Sequence, residues 1–137
     1  MKKSQLKKVN WIAAMSVGVE EIDEQHKKFL DMANEAIDAV AANNHNVINK
    51  IIDQFKDYAS YHFKTEADLM AKYKYPESSH HHDAHIDFYD KVADLESSVS
   101  DTKEAELISF IQSWLLLHIG STDKKLGAFI NNRKGYL

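Results

Sequence analysis

The chain has 137 residues and a formal charge of −4, a size that suits a single domain with its own core. It contains no cysteine, which excludes disulfides, thiolate metal sites and cysteine nucleophiles. Basic residues cluster only in the initial MKKSQLKK segment, so no nucleic-acid partner is indicated. No apolar run approaches the ~20 residues of a membrane span, and no apolar segment follows the Lys-rich start as in a signal peptide. We expect a soluble, cytoplasmic protein.

The first half of the chain predicts two long helices. The chain contains only one proline and four glycines. These residues interrupt helices most often, so their scarcity favours long uninterrupted helices. Apolar residues recur at steps of three and four from about Val19 to Ala42, the period of one helix face. Asn44 or Asn46 can then cap a second helix, which runs from about Val47 to Lys72.

The second half predicts two further helices and a tail. The segment YPESS ends the second helix, because the residue before proline is pushed out of the helical region. Ser78 or Ser79 can cap a third helix that ends near Ser97. A fourth helix begins near Lys103, and residues 124–137 are expected to add a short helix or strap.

These elements predict an all-α, up-down-up-down four-helix bundle. Short connections and one-sided apolar faces are typical of this architecture. We expect one domain over residues 1–137, with an N-terminal arm (1–18), the bundle (19–123) and a C-terminal extension (124–137).

Histidines and carboxylates interrupt the apolar stripes of all four predicted helices. They lie early in the first and third helices and late in the second and fourth, which is the same end of an up-down bundle. Buried polar groups without partners cost about 1–3 kcal/mol each, and metal coordination by neutral imidazole is the obvious compensation. The candidate metal ligands are His26, His62, Glu66, His81, His85, His118 and Asp123.

The size of this set indicates two metal ions rather than one. Nitrogen and oxygen donors without sulfur suit iron, zinc, manganese or copper, and do not choose between them. Glu66 and Asp123 are the candidates to bridge two ions, each giving one oxygen to each ion. With a bridging oxide or hydroxide and five imidazoles, two octahedral ions keep one position open for a small ligand.

Two positions need separate argument. Asp123 follows His118 by five residues, which places it about 140° away on an ideal helix. Either a π-type bulge realigns the two, or the aspartate reaches back from the last turn. In the triple histidine HHH, His81 aligns with the apolar stripe, whereas His80 and His82 point elsewhere, with His82 as the fallback ligand.

The chain resembles the bacterial hemerythrins over nearly all of its length. The family's pattern is one His, then H-x-x-x-E, H-x-x-x-H and H-x-x-x-x-D, and the seven candidate ligands match it in order. The flanking segments IDEQHK and HFKTEADLM, and the YP before the third helix, are also similar. The resemblance implies a non-haem site of two iron ions (Fe²⁺/Fe³⁺) that binds dioxygen reversibly, in a protein that is not an enzyme.

The resemblance also implies a distribution of ligands between the two irons. Three histidines are implied for one iron: His81, His85 and His118. Two histidines are implied for the other iron, which keeps the open position: His26 and His62. Glu66 and Asp123 would bridge both irons together with an oxo or hydroxo group.

An apolar pocket is expected over the open position, because a dry pocket would keep water and protons from bound dioxygen. Its candidate residues flank the ligands: Phe63, Trp114, Leu115 and Ile119.

Two other functions stay open. One is di-iron oxidase, peroxide or nitric oxide chemistry, and the other is an iron-homeostasis module without a dioxygen function. Ferritin-like di-iron enzymes use a carboxylate-rich shell with Glu-x-x-His pairs, and this histidine-rich set lacks that spacing. A redox or oxygen-consuming partner is possible, but the sequence does not identify one.

Overall fold

The computed structural model describes residues 6–99 and 102–133, which are helical apart from the arm and the connections. The predicted all-α fold is confirmed. In the described residues, no helix is long and apolar enough to cross a membrane. The helices are α1 (Glu20–Ala41), α2 (His45–Tyr73), α3 (Ser78–Glu96), α4 (Lys103–His118) and α5 (Lys124–Arg133), with a π-helical segment (Ile119–Asp123) between α4 and α5 and a 3₁₀ turn (Ala13–Met15) in the arm.

The first four helices form the predicted up-down-up-down bundle. Helix α1 packs beside α2 and α4, and α3 packs beside the same two helices. Short connections make consecutive helices antiparallel, so the start of α1 lies at the same end as the end of α2. This end of the bundle carries the candidate ligands.

The helix boundaries agree with the sequence periodicity to within two residues, but only one of the two predicted caps forms. The Asn44 side chain accepts a hydrogen bond from the Val47 amide at 3.2 Å and caps α2. The predicted serine cap of α3 is wrong, because Ser78 is already the first helical residue. Its hydroxyl donates to the Tyr75 carbonyl at 2.7 Å instead, and thereby closes the turn between α2 and α3.

Two apolar clusters lie above and below the layer of candidate ligands. The larger one is the bundle core, with side chains from α1 to α4 and the π-helical segment. The smaller one joins the arm, the start of α1, the end of α2 and helix α5, and we call it the end cluster. Its buried members are Val17, Val19, Ile22, Met70, Tyr73, Tyr75, Leu126 and Ile130. The C-terminal extension was predicted as a helix or strap, and its described part, residues 124–133, is a helix that closes the bundle end. Residues 134–137 lie outside the described residues.

The described part of the arm, residues 6–18, lies against the bundle, and Asn34 binds its backbone. The Asn34 side chain accepts from the Val9 amide at 3.0 Å and donates to the Val9 carbonyl at 2.9 Å. Further along, helix α5 approaches the arm so closely that a β-carbon at Gly127 would lie 2.0 Å from the Val17 carbonyl oxygen. A glycine at this position of α5 is therefore required by the close approach.

We expect Gly127→Ala to lower the free energy of unfolding by about 1–3 kcal/mol, as overpacking usually does. Gly120→Ala is the matched control, since a β-carbon there meets no atom within 4 Å, and a helical alanine is favoured over glycine by roughly 0.5–1 kcal/mol. Urea unfolding of both metal-free variants measures the difference. Equal stabilities would contradict the close packing of α5 on the arm.

Candidate metal centre

All seven candidate ligands are buried at one end of the bundle. His118 is the most exposed of them at 5%, and Glu66 and Asp123 are fully buried. Burying charged groups is costly unless they are paired or coordinate a metal. The cluster therefore needs a positive partner.

The ligand atoms fall into two groups that share both carboxylates. Within each group, one donor atom per residue lies within 4.8 Å of every other. The first group contains Glu66, His81, His85, His118 and Asp123. The second group contains His26, His62, Glu66 and Asp123. We call them the three-histidine group and the two-histidine group.

Asp123 divides its two oxygens between the groups. Oδ2 lies 2.8 Å from His26 Nε2 in the two-histidine group. Oδ1 lies 3.0 Å from His118 Nε2 and 3.2 Å from His81 Nε2 in the three-histidine group. This is the placement that a carboxylate between two ions requires.

Glu66 reaches both groups through one oxygen. Its Oε1 lies 3.3 Å from His62 Nε2, 3.3 Å from His81 Nε2 and 3.1 Å from His85 Nε2. All five histidines therefore turn Nε2 toward the carboxylates, and the second oxygen of Glu66 has no hydrogen-bond partner among the described residues.

Several of these short contacts are not hydrogen bonds. His26 Nε2 and both oxygens of Asp123 have no hydrogen-bond partner among the residues that the structure describes, although His26 and Asp123 approach to 2.8 Å. Such buried atoms need an explanation, and an ion is one of the recognised ones. Nitrogen and oxygen donors that face one another without bonding fit a metal between them.

The electrostatics of the cluster keep the carboxylates charged. Burial and the neighbouring Asp123 raise the pKa of Glu66, but His62 and His81 outweigh them and lower it to about 2. Burial likewise raises the pKa of Asp123, and the imidazoles of His118, His26 and His81 outweigh it and hold this pKa well below its usual value. Two buried negative charges thus lie between the imidazoles at neutral pH.

The pKa values of two imidazoles in the three-histidine group are shifted in opposite directions. Burial lowers the pKa of His81, but Asp123 and Glu66 outweigh it and raise this pKa to about 9. Burial is the main reason that the pKa of His85 is lowered, and the charges of His81 and His118 add to it. Without metal, protons therefore supply part of the positive charge that the carboxylates need.

The π-helical segment brings Asp123 to the face of His118. It covers Ile119–Asp123, directly after α4, and its wider turn replaces the steps of three and four by five. Of the two arrangements considered from the sequence, the structure has the π-type bulge.

The structure also separates the three consecutive histidines. His81 is 1% exposed and lies in the cluster, whereas His80 and His82 are exposed. The fallback position His82 is therefore away from the candidate site.

Two of the four predicted pocket residues contact imidazoles of the three-histidine group. The Phe63 ring stacks on His85 with centroids 3.8 Å apart, and the Trp114 ring stacks on His118 at 4.3 Å. Leu115 and Ile119 are buried in the bundle core. The aromatic pair thus restrains two imidazole rings.

Sequence reasoning missed two residues that touch His62. Gln25 is 5% exposed, and its Oε1 accepts a hydrogen bond from His62 Nδ1 at 2.6 Å. The Phe29 ring meets the His62 ring edge-on, with centroids 5.2 Å apart. Phe29 lies on the apolar face predicted for the first helix, and no spacing rule pointed to Gln25.

Five imidazoles and two carboxylates are buried at one end of this four-helix bundle. This arrangement is typical of helical bundles that bind metal ions. The family model described as the hemerythrin HHE cation binding domain matches residues 17–130. A hemerythrin-like protein of Naegleria gruberi is 34% identical over 116 residues, covering 85% of this chain and 88% of that protein. The chain belongs to the hemerythrin family, which confirms the resemblance.

Two bacterial proteins are also similar to this chain over most of its length. A bacteriohemerythrin of Methylococcus capsulatus is 34% identical over 124 residues, covering 87% of this chain and 94% of that protein. A bacteriohemerythrin of Stenotrophomonas maltophilia is 28% identical over 129 residues, covering 93% of this chain and 82% of that protein. Together with the cluster, the family indicates a di-iron-binding domain.

We expect His118→Ala to lose metal, because it removes a donor from the three-histidine group. His45→Ala is the control, since His45 lies at the start of α2 and pairs with Glu104, away from the cluster. Metal content after loading and desalting, measured by mass spectrometry, checks both variants. Full metal content in His118→Ala would contradict its role as a ligand.

Proposed function

We propose that this protein binds dioxygen reversibly at two iron ions, as an oxygen carrier, store, delivery protein or sensor. The observation that carries the proposal is the division of the cluster into two groups that share Glu66 and Asp123. Two adjoining groups with common carboxylates suit a pair of ions with bridges. Relatives named bacteriohemerythrin over most of the chain support iron as the metal.

The residues would hold the ions unequally. The three-histidine group would give three imidazoles to one ion, and His26 and His62 would give two to the other. When bound, a ferrous pair supplies the electrons that dioxygen accepts and an open position at which it binds. We propose that the open position belongs to the two-histidine group, because this group offers one imidazole fewer.

The surroundings of His62 favour binding over turnover. Phe29 and Gln25 pack on this imidazole, and neither side chain is an acid or a base at neutral pH. General acid–base catalysis needs a titratable group within hydrogen-bond reach of the reacting atoms. Glu66 and Asp123 would both be occupied as metal ligands, so neither would be free to exchange protons.

The apolar clusters on both sides of the layer would keep water out. Leu115 and Ile119 are 3% and 1% exposed, and Phe63 and Trp114 cover imidazoles of the three-histidine group. We propose that this apolar packing protects the reduced ions by limiting access of water and protons.

Iron loading and gas exchange test the proposal. We expect two iron ions per chain, one for each group, and a visible spectrum that appears when the reduced protein meets air and disappears when dioxygen is removed. A spectrum that does not reverse would contradict a carrier and favour a di-iron oxidase. A chain that takes up zinc but no iron would contradict both functions.

We expect Leu115→Ala to speed the loss of the oxygenated form, because it opens a cavity beside the cluster. The substitution should also cost about 2–5 kcal/mol of stability, so Leu115→Val serves as a milder truncation. Leu117→Ala is the control, since Leu117 is on the same helix but 72% exposed. The first-order decay of the oxygenated spectrum in air measures the effect, and equal rates in all three variants would contradict the protective role of Leu115.

A further inference from the structure

A chain of hydrogen bonds runs behind His62, on the side away from the carboxylates. The Tyr61 carbonyl accepts from the Thr65 hydroxyl at 3.2 Å. The Thr65 oxygen accepts from Gln25 Nε2 at 3.0 Å, and Gln25 Oε1 accepts from His62 Nδ1 at 2.6 Å. We call this chain the Gln25 relay.

The relay has one direction in which all three contacts are hydrogen bonds. A backbone carbonyl has no hydrogen to give, so Thr65 must donate its single hydroxyl hydrogen to Tyr61. The Thr65 oxygen can then only accept, and the Gln25 amide must present its NH₂ group to Thr65. The amide oxygen then faces His62.

The direction of the relay decides the tautomer of His62. Facing an amide oxygen, Nδ1 must carry the hydrogen, which leaves the lone pair on Nε2. This Nε2 is the atom that lies 3.3 Å from Glu66 within the two-histidine group. A carbonyl on α2 thus fixes, through a residue of α1, which nitrogen of His62 can bind a metal.

The other half of the two-histidine group has no such support. His26 Nδ1 is buried and has no hydrogen-bond partner among the described residues, and the same holds for His81 Nδ1 in the three-histidine group. Gln25 directly precedes His26, so two consecutive residues of α1 supply one imidazole of this group and orient the other.

We propose that Gln25 is the positioning residue of His62, and that its neutral amide limits the electron donation of this imidazole to a bound metal. A carboxylate acceptor would raise the basicity of the ligand more strongly, which favours the oxidised metal. An amide orients the ring while leaving the metal easier to keep reduced. This inference rests on the metal site of the proposed function, but not on dioxygen binding.

The first test uses zinc as the metal, because zinc has no redox chemistry. The tautomer is measured in the metal-free protein, since zinc on Nε2 would itself leave the hydrogen on Nδ1. There, nitrogen-15 NMR of the imidazole rings should show His62 with its hydrogen on Nδ1. We expect Gln25→Leu to lose this uniform tautomer and to bind zinc about 10- to 100-fold more weakly, as substitution of such supporting residues usually does.

Substitutions at Thr65 separate the relay from packing. Thr65→Val keeps the shape but removes the hydroxyl, so the amide of Gln25 is free to turn over and the His62 tautomer should become mixed. Thr65→Ser keeps the hydroxyl and should preserve both the tautomer and the zinc affinity. Both leave Gln25 in place, so they test the relay even if Gln25→Leu does not fold.

The charge of the acceptor is tested in the iron-loaded protein. Gln25→Glu is nearly isosteric, and we expect a more negative reduction potential together with a His62 ring that keeps its orientation. An unchanged potential would overturn the proposed effect of the neutral amide.

The experiments distinguish the positioning role of Gln25 from the metal site and from dioxygen binding. A parent-like tautomer and zinc affinity in both Gln25→Leu and Thr65→Val would overturn the positioning role. A parent protein that bound no zinc would contradict the metal site and the role of Gln25 with it. Loss of dioxygen binding alone would contradict the proposed function and leave the zinc results standing.

Discussion

Two ionised carboxylates, fully buried in a small helical bundle, set the conditions that the rest of the structure meets. Each of these carboxylates, Glu66 and Asp123, raises the free-energy cost of burying the other, because the two negative charges repel. Leaving one buried charge without its partner typically costs roughly 3–5 kcal/mol. Five imidazoles that turn Nε2 toward these oxygens lower the cost only in part, since some contacts lack hydrogen-bond geometry. Cations shared by both carboxylates would complete the balance.

These groups meet because consecutive helices are antiparallel. The starts of α1 and α3 and the ends of α2 and α4 therefore lie at the same end of the bundle. The end cluster, with residues of the arm and α5, then covers the layer from outside, and the bundle core covers it from inside. One departure from regular helix is needed, where the π-helical segment turns Asp123 into the layer. Such bulges are frequent at functional sites, and here the geometric reason is a spacing of five residues.

Sequence periodicity predicted the helices and the up-down order, because one-sided apolar faces leave few ways to pack. The spacing of the histidines, together with the family pattern, picked out the groups that meet in the structure. Contacts between helices were out of reach of such rules. Gln25 is next to His26 in the sequence, and only the packing of α1 on α2 places it against His62. The prediction that Ser78 caps α3 is wrong, because Ser78 is the first residue of this helix and its hydroxyl donates to the Tyr75 carbonyl in the preceding turn.

The positions of bound metal ions distinguish a shared site for two ions from every other arrangement. Crystals of the iron-loaded protein, measured with X-rays at the iron absorption edge, would locate each ion independently of the protein atoms. We expect two anomalous peaks, one in each histidine group, with oxygens of Glu66 and Asp123 in contact with both iron ions. A single peak, or iron bound only at exposed residues outside the cluster, would contradict it.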